Sequence, residues 1–324
     1  MRKLTRKEFI QMAAASSVAI PLLGYGCVGR GDKSGSSSGQ AASSSENGDV
    51  AGTFYDEIGF QVYTLRDLLV ENAETLFKDL ADAGIKNIEF FDPLTLNSYV
   101  PIVKDNGMSP LATHFSSGYV TGIWRDDQAP LEGHGFENVV EDCAANGIKY
   151  LGVASLTKEE QKSLDAYKRF AEKANVCGEK SKAAGVQLFY HNHNFEFGTM
   201  DGTTPYDEML KIFDKDLVKL ELDVFWAAVA GQDPVAWINR IAPWMLFLHL
   251  KDLKKGFQLP QFTTDIPPDS FIELGDGMVK LEAILTEAKK AGITTAIIDQ
   301  DDTQMENKIA SVNKNTAYIK ELGI

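Results

Sequence analysis

This sequence of 324 residues has few cysteines, few basic residues relative to acidic ones, and no long apolar run. Three cysteines are too few for a disulfide scaffold. Residues 1–50 hold six Lys/Arg and four Asp/Glu, which leaves 26 basic and 42 acidic residues, a net charge of −16, in residues 51–324. Because proteins that bind nucleic acid neutralise phosphates with Lys and Arg, we expect no DNA or RNA partner.

Glycine-rich nucleotide-binding motifs are also absent. No G-x-G-x-x-G follows the first predicted strand, and G-x-x-x-x-G-K-[ST] occurs nowhere in the chain. The sequence therefore disfavours both common nucleotide-binding folds. With 44% hydrophobic and 24% charged residues, its composition is that of an ordinary globular enzyme.

The N-terminal segment has the pattern of an export signal. Four of the first seven residues are basic, and the apolar run from Met12 to Leu23 is shorter than the roughly 20 residues that cross a bilayer as a helix. The run ends in Gly24-Tyr-Gly-Cys27, which resembles a lipobox, although an incidental cysteine is the alternative. We predict that residues 1–27 direct export, by the twin-arginine or the general route, and that the protein is a lipoprotein of the bacterial periplasm or cell envelope. It would touch the membrane only through a lipid on Cys27.

The next segment, residues 28–50, is rich in Ser and Gly and has too little apolar surface to offset the entropy of ordering it. We predict a disordered linker there and a single catalytic domain over residues 51–324. Cys143 and Cys177 fall on predicted helices without metal-type spacing. Buried free thiols are the simpler interpretation, and a disulfide between them is the alternative.

Short β-branched or aromatic runs alternate with helical periodicity from residue 51 onward, which is typical of parallel βα units. Five helices end in a glycine followed by an aliphatic residue, at Gly84, Gly107, Gly147, Gly185 and Gly292. Eight units without a break in composition predict an α/β fold of the (β/α)8 TIM barrel type. The connection from Lys254 to Gly277 is predicted to be a loop over the barrel mouth. The eight predicted strands are Ile58–Tyr63, Asn87–Phe91, Pro110–His114, Tyr150–Ala154, Val186–His191, Lys219–Asp223, Leu246–Lys251 and Thr295–Asp299.

Ionisable side chains close several of these strands, and in a barrel such ends converge on the catalytic face. His191, Asp223, His249 and Asp299 end strands five to eight. Each alone is explained as a hydrogen-bonded histidine or a helix-capping aspartate, but four in consecutive strands predict a metal site. A mixed set of imidazole and carboxylate ligands suits Mn²⁺, Co²⁺ or Zn²⁺ better than Mg²⁺.

Further candidates surround this predicted centre. Alternate residues of a strand face the same way, which places His193 beside His191 and Lys251 beside His249. The predicted catalytic residues, as base or as substrate contact, are His193, Glu196, Lys251 and His114. Lys251 is equally explained as a rim lysine paired with Asp252. For Trp226, packing in the core is the alternative to substrate binding. The predicted substrate-binding residues are Glu89, Trp226 and Gln300.

At these residues the chain resembles the xylose isomerase-like TIM barrels, the superfamily of sugar phosphate isomerases and epimerases, in a secreted or lipoprotein branch. The resemblance rests on Tyr190-His-Asn-His-Asn-Phe-Glu-Phe197, Glu221-Leu-Asp-Val-Phe-Trp226, His249-Leu-Lys-Asp252 and Asp299-Gln-Asp301. It implies a divalent ion held by Glu, Asp, His and Glu at the ends of the fifth to eighth strands. Asp223 and His249 match the middle pair, whereas His191 and Asp299 stand where epimerases have glutamates.

The resemblance implies that the protein isomerises or epimerises a sugar or keto-sugar, with metal-assisted removal of a proton α to a carbonyl. A lyase or dehydratase acting on 3-keto-glycosides or inososes is the first alternative, and a non-catalytic sugar-binding lipoprotein is the second. The expected partner is a small carbohydrate. The sequence leaves open whether the chain also forms a homo-oligomer. Apurinic endonucleases share the barrel, but the acidic charge argues against their DNA-binding face.

Overall fold

The computed structural model describes residues 52–125 and 131–324, in which eight parallel strands close into a barrel. The prediction of a (β/α)8 barrel is confirmed, and each observed strand differs from its predicted range by three residues or fewer at either end. The barrel strands are β1 Gly59–Gln61, β2 Asn87–Phe90, β3 Ser109–Phe115, β4 Tyr150–Val153, β5 Gln187–His191, β6 Val218–Asp223, β7 Met245–Leu250 and β10 Ala296–Ile298.

Neighbouring strands follow the order β1-β10-β7-β6-β5-β4-β3-β2 around the barrel. The register places His191 of β5 opposite Glu221 of β6, and Asp223 of β6 opposite His249 of β7. Because all eight strands run the same way, their carboxyl ends open on one face. The polar residues that close them are thus brought to one end of the barrel.

The helices surround the barrel on its outer face. The first of them, Arg66–Asp82, is interrupted at Asn72, whose side chain accepts a hydrogen bond from the Thr75 backbone at 3.0 Å and starts a second helical segment. None of the helices within the described ranges is long and apolar enough to cross a membrane. They are α1 Arg66–Asp82, α2 Leu96–Asp105, α3 Gly118–Thr121, α4 Phe136–Asn146, α5 Leu164–Ala183, α6 Pro205–Ile212, α7 Val224–Val229, α8 Pro234–Ile241, α9 Leu281–Lys290 and α10 Lys308–Leu322.

The predicted glycine joints between helix and strand are present. All five glycines have positive φ, between 73° and 94°, as a left-handed helix end requires. Cys143 and Cys177 are buried free thiols, which confirms the simpler of the two interpretations.

The connection predicted as a loop between Lys254 and Gly277 contains a short strand. Residues Asp252–Leu253 (β8) pair antiparallel with Phe271–Ile272 (β9). The Asn194 side chain donates to the carbonyl oxygens of Gln261 and Thr263, which ties the segment to the end of β5. It therefore does lie beside the barrel mouth, as predicted, but part of it is ordered as a two-stranded sheet.

Asp252 explains why this segment is ordered. Its carboxylate accepts hydrogen bonds from the backbone of Leu253, Gly275, Gly277 and Val279. A Cβ on Gly277 would overlap that carboxylate, so the close approach requires glycine there. The prediction that Asp252 pairs with Lys251 is wrong, because this carboxylate is engaged by backbone amides.

The barrel interior is apolar at its amino-terminal end. Leu111, Ala112, Phe189, Phe247 and Ile297 form a compact cluster there, separate from the larger core between barrel and helices. The rings of Phe189 and Phe247 lie 5.2 Å apart, edge to face. This apolar plug excludes water below the polar strand ends, so charges above it lie in a medium of low dielectric constant.

The predicted export signal (1–27) and the predicted linker (28–50) lie outside the described residues, as does Cys27. These assignments stay predictions. The same applies to oligomerisation and to the absence of a nucleic-acid partner.

We predict that Gly152→Ala destabilises the fold by about 1–3 kcal/mol, the usual range for overpacking a core. Gly152 lies in β4, and a Cβ there would overlap the rings of Phe189 and His114. Gly198→Ala is the matched control, because its Cβ would meet no atom closer than 3.4 Å. Urea unfolding of both variants measures the difference, and equal midpoints would contradict the close packing at Gly152.

Candidate active site

Four side chains from consecutive barrel strands meet at the carboxyl end, and we call them the upper group: His191, Asp223, His249 and Asp299. One donor atom from each lies within 4.8 Å of the other three. His191 Nε2 is 3.3 Å from Asp223 Oδ2, and His249 Nδ1 is 3.2 Å from Asp299 Oδ2. These are the four residues predicted from sequence as metal ligands, and the fold brings them together.

Asp223 has two tasks, because its two carboxylate oxygens face different ways. Oδ1 accepts a hydrogen bond from the Trp226 backbone at 2.8 Å and caps α7. Oδ2 points to His191 and Lys251. The Asn192 side chain accepts from the Asp223 backbone at 3.0 Å and fixes the strand end. The capping role and the ligand role are therefore both satisfied at this residue.

Lys251 lies inside the site rather than on its rim. Its ammonium is 2.6 Å from Asp299 Oδ2, 3.1 Å from Asp223 Oδ2 and 3.0 Å from Asp301 Oδ1. Burial by itself would lower the pKa of Lys251, but these carboxylates outweigh it and hold the pKa well above its usual value. Lys251 is thus a charged donor next to the upper group.

A second set of ionisable side chains lies deeper, which we call the deep ring: Glu89, His114, Glu221 and His249. His249 Nε2 is 2.5 Å from Glu89 Oε2 and 2.8 Å from Glu221 Oε1. His114 Nε2 closes the ring, 3.0 Å from Glu221 Oε2 and 3.4 Å from Glu89 Oε1. Burial raises the pKa of Glu221 to about 7. His249 belongs to both sets and presents a different nitrogen to each.

The donor set of the upper group fits a divalent cation. Within the described ranges, Asp299 Oδ1 is buried without a hydrogen-bond partner. Burial lowers the pKa of His191 well below its usual value, which keeps its imidazole neutral and able to bind a metal. Three carboxylates, those of Asp223, Asp299 and Asp301, surround the one ammonium of Lys251, and such an excess of negative charge is costly unless a cation offsets it. Mixed nitrogen and oxygen donors suit Mn²⁺, Co²⁺ or Zn²⁺.

His193 and Trp226 form the wall above the upper group. The His193 ring lies 4.9 Å from the His191 ring and 5.2 Å from the Trp226 ring. Burial lowers the pKa of His193 well below its usual value, so the imidazole is neutral at pH 7. In the part of the chain that the structure describes, neither His193 Nδ1 nor Trp226 Nε1 has a hydrogen-bond partner. Both are placed as the sequence predicted, next to the candidate metal ligands.

Two predicted site residues lie elsewhere. Glu196 accepts a hydrogen bond from the Tyr190 hydroxyl at 2.6 Å, and its two carboxylate oxygens share the backbone N–H of His193, so the carboxylate holds a turn together instead of facing the upper group. Gln300 points away from the barrel interior, where Asn315 of α10 donates to it at 3.1 Å. Its neighbours Asp299 and Asp301 face inward, and alternation along the strand turns Gln300 outward. These contacts do not favour the catalytic role predicted for Glu196 or the substrate contact predicted for Gln300, and both roles stay predictions.

Glu89 and His114 face inward as predicted, but they belong to the deep ring. Glu89 is fully buried and also accepts from the Gln61 side chain at 2.8 Å, so it is enclosed by protein atoms. His114 likewise contacts carboxylates of the protein. This placement favours a structural task for both residues, and the substrate contact predicted for Glu89 and the catalytic role predicted for His114 stay predictions.

Glu221 and Asp301 also belong to the site, although neither was predicted from the sequence. Glu221 stands two residues before Asp223, and Asp301 two residues after Asp299. The alternation rule that paired His191 with His193 also applies to these two pairs. That signal was available, and it identifies both residues as facing inward.

Comparison with known proteins identifies the family. The family model described as "Xylose isomerase-like TIM barrel" matches residues 77–321. The chain belongs to this family. Among solved structures, a sugar phosphate isomerase/epimerase from Parabacteroides distasonis superposes with a TM-score of 0.68 at 23% identity, covering 85% of this chain and 98% of the other. An IolI protein with a bound zinc atom superposes with a TM-score of 0.62 at 17% identity, covering 83% and 99%.

Within the family, the chain is similar in sequence to proteins named inosose dehydratase. The protein of that name from Clostridium beijerinckii is 26% identical over 200 residues, which cover 59% of this chain and 62% of the relative. The match to the Lacticaseibacillus casei protein, also 26% identical, covers 46% of that relative. The chain thus spans about half to three fifths of the length of these curated relatives.

We predict that the purified full-length chain holds about one divalent ion per molecule and that Asp223→Ala/His249→Ala loses it. The double variant removes two of the four donors, and the remaining His191 and Asp299 would not hold an ion tightly. His134→Ala is the control, since that histidine pairs with Asp142 outside the site. Elemental mass spectrometry after incubation with Mn²⁺, Co²⁺ and Zn²⁺ measures the content. No ion in the wild type, or equal content in all three proteins, would exclude the upper group as a metal site.

Proposed function

We propose that the protein is a metal-dependent lyase that removes water or an alcohol from a keto-polyol or keto-sugar by β-elimination. The observation that carries this proposal is the arrangement at the barrel mouth. The upper group lies directly beside a charged ammonium, on Lys251, and an imidazole without a hydrogen-bond partner on Nδ1, on His193. A cation site, a proton donor and a neutral base are the groups that this reaction needs.

The comparisons favour a lyase over the isomerase or epimerase expected from the sequence, because the curated relatives are named inosose dehydratase. The ligand set supports the same choice. Two glutamates exchange the substrate proton in the epimerase pattern that the sequence resembles, and His191 and Asp299 stand in their places. A base outside the ligand set is then required, and His193 is the residue so placed.

His191, Asp223, His249 and Asp299 would hold the ion. When bound, a divalent ion polarises the substrate carbonyl and lowers the energy of the enolate that forms from it. The side chains around it supply the proton transfers. Trp226 bounds the space above the upper group and offers its indole N–H to a substrate oxygen.

The proposed reaction takes one proton from carbon, delivers one proton to the leaving oxygen, and breaks one C–H and one C–O bond of the substrate. His193, neutral at pH 7, accepts the proton from the carbon next to the carbonyl, and the C–H electron pair passes into the enolate. That pair then forms the carbon–carbon double bond as the β C–O bond breaks. The leaving oxygen takes a proton from Lys251 or from protonated His193 and departs as water or an alcohol, so no oxidant is needed.

The charge of the site favours an unphosphorylated substrate. Asp223, Asp299 and Asp301 face the mouth, and Lys251 is already paired with all three. A phosphate group would add further negative charge beside these three carboxylates. We therefore propose a neutral inosose or 3-keto-glycoside as the substrate class.

We predict that the ion-loaded protein eliminates water from an inosose, or an alcohol from a 3-keto-glycoside, and that Lys251→Met lowers kcat by about 10²–10³. The variant keeps the length of the side chain but removes its proton and charge. Mass spectrometry of reactions run in D₂O detects both loss of the leaving group and exchange of the α proton. Exchange without elimination would favour the isomerase or epimerase, and neither process across a panel of keto-sugars would favour the sugar-binding protein.

We also propose that the protein is exported and anchored through Cys27, which rests on the N-terminal sequence pattern alone. Cys27→Ser is expected to move the protein from the membrane fraction to the soluble fraction of bacterial cells, because thioether attachment of the lipid needs the thiol. Immunoblotting of the two fractions measures this. Wild-type protein in the soluble fraction would exclude the anchor.

A further inference from the structure

His249 lies between two sets of carboxylates, and its two ring nitrogens face opposite ways. Nδ1 points to the upper group, 3.2 Å from Asp299 Oδ2. Nε2 points to the deep ring, 2.5 Å from Glu89 Oε2 and 2.8 Å from Glu221 Oε1. Only one face of the imidazole therefore takes part in the candidate metal site.

Proton counting decides which nitrogen carries hydrogen. A neutral imidazole has one N–H, and an ionised carboxylate only accepts hydrogen bonds. An ion bound at Nδ1 takes the lone pair of that nitrogen, so the single N–H of the neutral imidazole lies on Nε2, where two carboxylates are at hydrogen-bond distance. The lone pair is then left on Nδ1, where it faces the upper group.

The deep ring itself is held rigidly. His114 bridges Glu221 and Glu89 from the other side, and the Gln61 side chain donates to Glu89. The His114 ring also packs against Phe189 of the apolar plug, with ring centroids 5.6 Å apart. Enclosed in this way, the two glutamates have no room to turn from His249.

We infer that Glu89, Glu221 and His114 are positioning residues that hold His249 in the tautomer with hydrogen on Nε2 and aim Nδ1 at the ion. The inference rests on the proposed metal site. It assigns the deep ring a definite task, which is to set the orientation and the basicity of one ligand.

The distances argue against a second ion inside the deep ring. Ligand atoms about 2.0–2.2 Å from a tetrahedral ion lie roughly 3.3–3.6 Å from one another. His249 Nε2 is hydrogen-bonded to Glu89 Oε2 at 2.5 Å and lies 2.8 Å from Glu221 Oε1, and both separations are shorter than those between ligands of one ion. In the upper group the corresponding separations are 3.2 and 3.3 Å, close to what a shared ion requires.

The test uses the full chain with Glu89→Gln, Glu221→Gln and the double variant. A chelator-competition titration gives the Kd for Zn²⁺, and we expect each single variant to weaken binding about 10- to 100-fold. Histidine ¹⁵N NMR of the zinc-loaded protein reports which nitrogen of His249 bears hydrogen. We expect hydrogen on Nε2 in the wild type and a changed pattern in the double variant, because glutamine amides can donate to Nε2.

Glu160→Gln is the matched control. This carboxylate is equally buried, accepting from the Ser117 hydroxyl at 2.7 Å and the Thr157 backbone at 2.6 Å, but it lies outside both sets. We expect it to lower the unfolding midpoint without changing the Kd for Zn²⁺. A loss of zinc affinity in the deep-ring variants therefore reports on His249 and not on general loosening of the fold.

Several results would overturn the inference. Two zinc ions per wild-type chain would make the deep ring a metal site. An unchanged Kd for Zn²⁺ in the glutamine variants would show that the deep ring does not position His249. Hydrogen on Nδ1 of the zinc-loaded wild type would reverse the orientation. If the wild type binds no zinc, the proposed function fails, and this inference fails with it. An unchanged Kd in variants of a wild type that does bind zinc would overturn the inference alone.

Discussion

The burial of carboxylates inside the barrel is the constraint on which the site depends. Glu89, Glu221, Asp223 and Asp299 lie above an apolar plug, where an unpaired charge is costly. Histidine, lysine and a divalent cation are the groups that offset such charge. Each buried carboxylate is therefore stable only beside its partner group. Removing one partner leaves a buried charge unpaired and lowers the stability of the fold.

The barrel geometry sorts these groups into two layers. Residues two apart on a strand face the same way, so β6 contributes Glu221 to the lower layer and Asp223 to the upper one. His249 of β7 takes part in both layers through its two nitrogens. In the lower layer His249 Nε2 lies only 2.5 and 2.8 Å from the two glutamates, whereas the separations between imidazole nitrogen and carboxylate oxygen in the upper layer are 3.2 to 3.8 Å. The layer nearer the mouth is accordingly the one suited to a ligand.

This chain also differs from the epimerase pattern in which residues are proposed to bind the ion and which are proposed to transfer protons. In that pattern, ligands of the ion also move the substrate proton. Here His191 and Asp299 occupy those positions, and His193 and Lys251 stand beside the ligands with the properties of a base and an acid. This arrangement agrees with elimination, in which one proton leaves carbon and one proton reaches the departing oxygen.

The positions of the strands, the glycines that end the helices and the ionisable residues that close the strands could all be read from the sequence. They follow from local backbone preferences and burial. The ionisable residues that close the fifth to eighth strands even identified the four members of the upper group. Only the tertiary structure decided which groups meet, since distances between strands depend on how the barrel closes. The tertiary structure also decided where the Glu196 side chain faces. This residue lies beyond the end of β5, where a turn and not strand alternation sets the direction of the side chain. The directions of the Gln300 and Glu221 side chains could have been predicted from alternation. Their partners could not, because Gln300 bonds to a residue of α10 and Glu221 contacts a residue of β3, far away in sequence.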